Sequence, residues 1–330
     1  MQEASNKFFS RLQKKRPTKF NFIDERTESE QRKLLNFASR SYPIVHEDVI
    51  KTAKRFLEKN RETHPIYASM NLLDFFDRLI KKRPLVFIGA QDDWMDKYGN
   101  KGSGDWDWKA GNDIENFLTY REQKISALIQ LSTETLLINS GGRYNKGKPA
   151  PEGSFIKEAV YVGVVGARFE KPGKMDHQDC VVSKNSGRWQ RQSSRYEHEQ
   201  IGHSDFFFNV TQYKKRMKLS FETFLLEAHM RGQKQKKKVY CHVVGLGLGV
   251  WQLRGYQNQT KHFFDAFEES LDNLLENNSI QHLSDVDFSW VAPPVTAVFK
   301  HLHTFKDSNV RIHISRRDPF ANHERDKVSK

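Results

Sequence analysis

Lys238-Val-Tyr-Cys-His-Val-Val244 runs directly into Gly245-Leu-Gly-Leu-Gly-Val-Trp251. The first half is a short apolar run, which predicts a buried strand. The second half alternates glycine with apolar residues. Without a Cβ, glycine lets the backbone pass close to another group. Several N–H groups turned the same way form a cradle for an anion. A helix is predicted next, over residues 262–275, so the order is strand, loop, helix, the setting in which phosphate is held. The competing reading is a glycine-rich crossing where the strand packs against a helix. The loop does not match a dinucleotide fingerprint, because the third glycine of GxGxxG would fall at Val250 and no complete βαβαβ half follows. Nor is it a P-loop, since no Gly-Lys-Ser/Thr follows. A diphosphate suits it better than a triphosphate awaiting hydrolysis.

Working outward, apolar runs predict strands at 84–90, 135–139, 159–169, 286–290 and 310–315, and helices at 114–131 and 210–231. Residues 1–80 read as helical and charged, with Leu34, Leu35 and Ala38, then Leu72, Leu73, Phe76, Leu79 and Ile80, at helical spacing. Segments 183–202 and 232–238 read as exposed loops, and a loop with Asp92, Asp93, Trp94, Trp106 and Trp108 among glycines follows the first strand. Strands that alternate with helices give an α/β class with a sheet buried on both faces. Ligands of such sheets sit beyond the carboxyl ends of the strands.

Composition narrows the function. Lys+Arg is 54 and Asp+Glu is 41, so the chain carries +13 and favours anionic partners. The clusters Lys14-Lys15-Arg16, Lys81-Lys82-Arg83 and Lys236-Lys237-Lys238 read as solvated helix ends or loops. No nucleic-acid-reading module accompanies the charge, so no specific nucleic acid is expected. Two cysteines, Cys180 and Cys241, and no CxxC exclude a thiolate zinc site and a disulfide framework. The histidines show no HExxH spacing, His301, His303 and His313 read as surface residues, and no metal is expected. No apolar run reaches the length of a membrane span and the N-terminus has no signal-peptide core, so a cytoplasmic protein is expected.

Three further stretches sit at strand ends. Asn139-Ser140-Gly141-Gly142-Arg143 could hold a ribose or phosphate, or be a plain turn. Val164-Val-Gly-Ala-Arg-Phe-Glu170 leads to Met175-Asp176. The carboxylates of Glu170 and Asp176 could orient water or act as general bases, or simply form an ion-paired loop. Asp285-Val-Asp287-Phe288-Ser289-Trp290 offers another acid and an aromatic pair, which stacks a base or, the better reading, fills the core.

Taken together, Val164–Glu170, Tyr213-Lys-Lys-Arg-Met-Lys-Leu219 with Phe224-Leu-Leu-Glu-Ala228, His242–Trp251 and Asp287-Phe-Ser-Trp290 resemble the MavL-type macrodomain family over roughly residues 80–320. The resemblance implies a divergent macrodomain, a three-layer mixed sheet flanked by helices over 81–330; the helical extension read at 1–80 lies outside it. It implies ADP-ribose as ligand, with no cofactor. Gly245, Leu246, Gly247, Leu248, Gly249, Val250 and Trp251 would wrap the diphosphate. Ser140, Gly141, Gly142, Arg143, Gly166, Ala167, Arg168 and Phe288 would complete the site. It further implies removal of ADP-ribose from modified protein, with Asp287, Glu170 and Asp176 as candidate catalytic acids and Asp287 first among them. The family has Met-Glu where this chain has Met175-Asp176, a shorter carboxylate. ADP-ribosylated ubiquitin or another protein of the ubiquitin system is an implied partner, and a bacterial effector of this kind would be translocated into a host cytosol. A reader that binds ADP-ribose without turnover, and an effector module that holds a partner protein, are the alternatives.

Overall fold

The computed structural model describes residues 27–82, 86–87, 94–95, 101–102, 114–115, 117–142, 144–145, 147–291 and 310–322. In chain order the elements are α1 (Glu28–Ser39), β1 (Tyr42–Ile44), α2 (Glu47–Asn60), α3 (Pro65–Ala68), α4 (Leu72–Lys81), β2 (Val86–Phe87), β3 (Trp94–Met95) and β4 (Lys101–Gly102). Then come α5 (Tyr120–Ser126), β5 (Gln130–Leu136), β6 (Glu158–Gly163), α6 (His177–Cys180), β7 (Val181–Ser183), α7 (Gly187–Gln192), β8 (His198–Gln200) and β9 (Phe206–Asn209). The last are α8 (Val210–Gln235), β10 (Val239–Val243), α9 (Gln259–Glu276), β11 (Leu283–Ser289) and β12 (Arg311–Ser315). The chain is mixed α/β, and its described strands group into four three-stranded sheets, β1-β5-β6, β2-β3-β4, β7-β9-β8 and β10-β11-β12. Among the described residues no helix is long and apolar enough to cross a membrane.

The chain divides into two compact units. One comprises residues 1–44, 131–163 and 315–330. In it β5 and β6 pair antiparallel, from Leu131 opposite Gly163 to Leu136 opposite Glu158. Helix α1 starts at a reciprocal cap between Thr27 and Glu30, and its Lys33 and Arg40 pair with Glu158 and Glu134.

The other unit comprises residues 45–130 and 164–314. Its main core lies where β10 and β11 pair in parallel, with Val243 opposite Phe288, against α8 and α9. Phe221 of α8 meets Phe263 and Phe267 of α9 edge-on, and Phe288 of β11 packs on the same two rings and on Phe264. A second apolar cluster joins Val49, Ala53, Leu57, Phe75 and Leu79 to Leu118, Ile125 and Ile129. The helices at 47–81 therefore share a core with the segment at 114–129. An ion pair is enclosed at its edge. Arg78 Nε lies 2.7 Å from Glu122 Oε1, with side chains 5% and 0% exposed, and the same guanidinium donates to the Phe117 carbonyl. Removing one member of such a pair strands the other charge. Glu122→Ala is expected to cost about 3 kcal/mol or more in urea unfolding, and a loss near zero would show that water reaches Arg78.

Several sequence expectations change, among them the loop expected over 232–238, whose first residues belong to α8, and the strand expected over 135–139, which lies at Gln130–Leu136. The helix expected over 114–131 is confined to Tyr120–Ser126. Thr119 and Glu122 cap its start reciprocally, and the alternating Gln130–Leu136 that follows pairs as a strand. The strand expected over 159–169 stops at Gly163, because the next residues leave the sheet to cross another loop. The stretch 183–202 is not a plain loop. It holds α7 and β8, with Trp189 packed on Phe207 at 4.2 Å between ring centroids. Residues 84–85, 88–93 and 106–108, Arg143, His301 and His303 lie outside the described residues.

Candidate functional site

The glycine loop leaves the carboxyl end of β10, where the sequence predicts it. Its glycines have different physical reasons. Gly247 sits at φ +77°, and a Cβ there would lie 2.6 Å from the Ala167 carbonyl oxygen. A Cβ at Gly166 would collide with the backbone of Leu246 and Gly247. The segments 164–170 and 245–251 therefore cross backbone against backbone, and Phe169 N–H donates to the Trp251 carbonyl at 2.9 Å. Gly249 differs, because a Cβ there meets nothing within 4 Å. On that open side Val250 is 88% exposed. The N–H groups of Gly247, Gly249, Val250 and Trp251 donate to no acceptor among the described residues. Unspent backbone donors beside an open face are what an anion requires.

The crossing is held from beneath. Asp176, 4% exposed, accepts from the Arg168 N–H at 2.9 Å and from Arg216 Nε at 3.2 Å. Arg216 also donates to the Val165 carbonyl at 2.8 Å and to Ser220 Oγ at 3.0 Å. Above this, the Arg168 guanidinium lies 4.7 Å from the Trp251 ring centroid and binds Glu170 Oε1 through two nitrogens. Glu170 Oε2 is buried and accepts no hydrogen bond among the described residues. An acceptor left so is costly unless a ligand hydroxyl or water supplies the donor.

Asp287 stands elsewhere. It lies inside β11, opposite His242, 1% exposed. Its Oδ2 accepts from Tyr240 Oη at 2.9 Å and lies 3.7 Å from His242 Nδ1. On the same strand Asp285 binds Arg311 through both oxygens and His313 at 2.8 Å. Burial raises the Asp285 carboxyl, but these donors outweigh it and hold the group below its ordinary range. The cysteines are poor nucleophiles. Burial pushes Cys241 up to about 12 and raises Cys180 well above its usual value, with Asp176 adding to the latter. No cluster of metal-ligating side chains occurs among the described residues.

A family model for MavL-like ADP-ribosylhydrolases matches residues 4–192 and 186–329. The chain belongs to this MavL-like family. Two Drosophila melanogaster relatives are similar to it. ADP-ribosylarginine hydrolase CG3568 is 31% identical over 300 residues, covering 76% of this chain and 58% of the relative. ADP-ribosylarginine hydrolase CG2909 is 29% identical over 298 residues, with the same coverage. The chain thus spans 58% of the length of these curated relatives. The family match reaches residue 4, well before the resemblance near residue 80 begins.

In this MavL-like chain, Gly245–Trp251, Gly166, Ala167, Arg168, Glu170 and Asp176 come together at one crossing. Phe288 does not join them. It is 0% exposed among the α9 rings, a core residue rather than a ligand contact. The aromatic pair is split, for Trp290 is 58% exposed at φ +58°. Ser140–Gly142 belongs to the other unit. There the small residues face Phe320 and Asp318, which would collide with a Cβ at Gly141 and Gly142, and Ser140 Oγ binds Asp318 at 2.8 Å. Arg216 was missed as a site residue. It lies on the stripe Tyr213, Met217, Ser220 and Phe221, each no more than 1% exposed, and an arginine on a buried helical stripe signals an internal carboxylate.

Proposed function

We propose that this chain binds ADP-ribose at the Gly245–Trp251 loop and releases it from arginine side chains of modified proteins. The observation that carries the reading is the run of N–H groups at 249–251, which have no acceptor among the described residues, beside the open space at Gly249 on a braced loop. The names of the two relatives support the arginine linkage. A macrodomain-like cleft at the carboxyl ends of β10 and β11 is part of the same proposal. Release requires water oxygen to bond to the anomeric carbon as that carbon's bond to the arginine nitrogen breaks. The electron pair leaves with the guanidine, which takes up a proton. A carboxylate at the anomeric centre accepts the proton of water and steadies positive charge on the ribose ring. Glu170 is the acid proposed for this, because its Oε2 has no protein donor among the described residues. Asp176 is assigned to bracing the crossing, since both its oxygens are engaged.

The test is calorimetric titration with ADP-ribose, paired with release of ADP-ribose from arginine-modified proteins, modified ubiquitin among them. Gly249→Val is the informative variant, because its Cβ enters open space and the fold is spared. It should weaken ADP-ribose binding by about 2 kcal/mol, the scale of charge-assisted hydrogen bonds lost to a displaced phosphate. Unchanged affinity in that variant removes the anion cradle from the reading. Gly247→Val cannot serve, because it breaks the loop crossing with or without ligand. Tight binding with no release from any modified substrate would make the chain a reader.

A further inference from the structure

His262 stands one turn into α9 and is fully buried. Its Nε2 lies 2.9 Å from Tyr256 Oη and 3.2 Å from Glu199 Oε1, and its Nδ1 lies 3.3 Å from Asp265 Oδ2. The Tyr256 hydroxyl gives its one proton to Glu199 Oε2 at 2.6 Å, where Asn258 Nδ2 also donates at 2.8 Å. That hydroxyl can therefore only accept from His262. Burial raises both carboxyls, yet their donors hold Glu199 and Asp265 below the ordinary range, so both are acceptors at neutral pH. Both ring nitrogens face acceptors, and only the imidazolium has two N–H groups to offer.

The same helix turn grips the glycine loop. Gln259, 0% exposed, accepts from the Leu253 N–H at 2.8 Å and points its Nε2 at the Gly247 carbonyl, 3.5 Å away. Tyr256, three residues beyond Leu253, is tied to β8 through Glu199. We infer that His262, doubly protonated, is a positioning residue: an internal cation that fixes Tyr256 and the start of α9, and through them the shape of the diphosphate loop. The assignment of that loop to a diphosphate rests on the proposed function. The surrounding charges are Glu199 on β8, Asp265 and Lys261 on α9, and, further out, Glu197 just before β8 and Lys214 of α8. Phe208 of β9 and the Tyr256 ring flank the imidazole nearly parallel, at 6.3 and 6.1 Å. Loss of the second proton leaves two carboxylates facing one another with a single neutral donor between them.

Two measurements decide this. Nitrogen-15 NMR of the side chain should show both His262 nitrogens protonated at neutral pH in the folded protein. A single protonated nitrogen there overturns the inference, whatever the protein binds. ADP-ribose affinity should fall by about tenfold in His262→Gln, the scale of one charge-assisted hydrogen bond, and undiminished affinity in that folded variant overturns the inference. Should that variant not fold, Asp265→Asn replaces it, with a smaller loss expected and undiminished affinity counting against the inference. Absence of ADP-ribose binding by the parent protein defeats the proposed function, while the NMR result still decides the state of His262.

Discussion

An Arg216→Met variant is expected to lose about 3–5 kcal/mol of stability, the cost of leaving a buried carboxylate without its cation, and to lose ADP-ribose binding with it. Asp176 is 4% exposed and would keep only the Arg168 N–H as donor. The carbonyls of Val165 and Gly166 would also lose the guanidinium, so the segment that the glycine loop crosses would lose its brace. Urea unfolding gives the stability, and titration with ADP-ribose below the unfolding transition gives the binding. The double variant Arg216→Met, Asp176→Leu removes both charges and should recover much of the stability without recovering binding, because an apolar pair can replace a buried ion pair but cannot hold the Arg168 N–H. A single variant within about 1 kcal/mol of the parent, the ordinary range of point changes, would mean that the pair does not hold the crossing together.

Glu170→Gln is expected to lower release of ADP-ribose from modified arginine by about a hundredfold, the range of general-base catalysis, while ADP-ribose still binds. The amide keeps the shape and one acceptor toward Arg168 but cannot take a proton from water. Asp287→Asn should behave otherwise. Its effect should fall on stability, since Asp287 is held within β11 by Tyr240. Initial rates under saturating substrate, with binding measured separately, distinguish a lost base from a lost site. Full turnover in Glu170→Gln together with lost turnover in a stable Asp287→Asn would return the catalytic role to the acid that the sequence ranks first.

Local order determined much of this in advance. The stretch 238–251 reads as strand then glycine loop because an apolar run followed by alternating glycines has few other outcomes, and β10 and its loop lie there. The long helix at 210 and the helix before residue 275 follow from periodicity, which depends only on near neighbours in the chain. The Tyr213–Leu219 run could be seen as distinctive without its reason being visible.

What only the tertiary structure decided concerns residues whose partners are distant in sequence. Gly166 and Gly247 need to be glycine because two backbones more than 80 positions apart cross there, whereas Gly249 alone keeps an open side. Nothing in the string Gly-Leu-Gly-Leu-Gly separates Gly247 from Gly249. The ends of the 120–126 helix and of β6 were set by strand pairing and by that crossing, which override periodicity wherever long-range contacts bury more than local ones. Of the acids, Asp287 is ranked first by its motif and lies buried within β11, while Asp176 is drawn under the crossing by Arg216, 40 residues away. A carboxylate's role depends on which donors reach its oxygens, and in a folded chain those donors come from other segments.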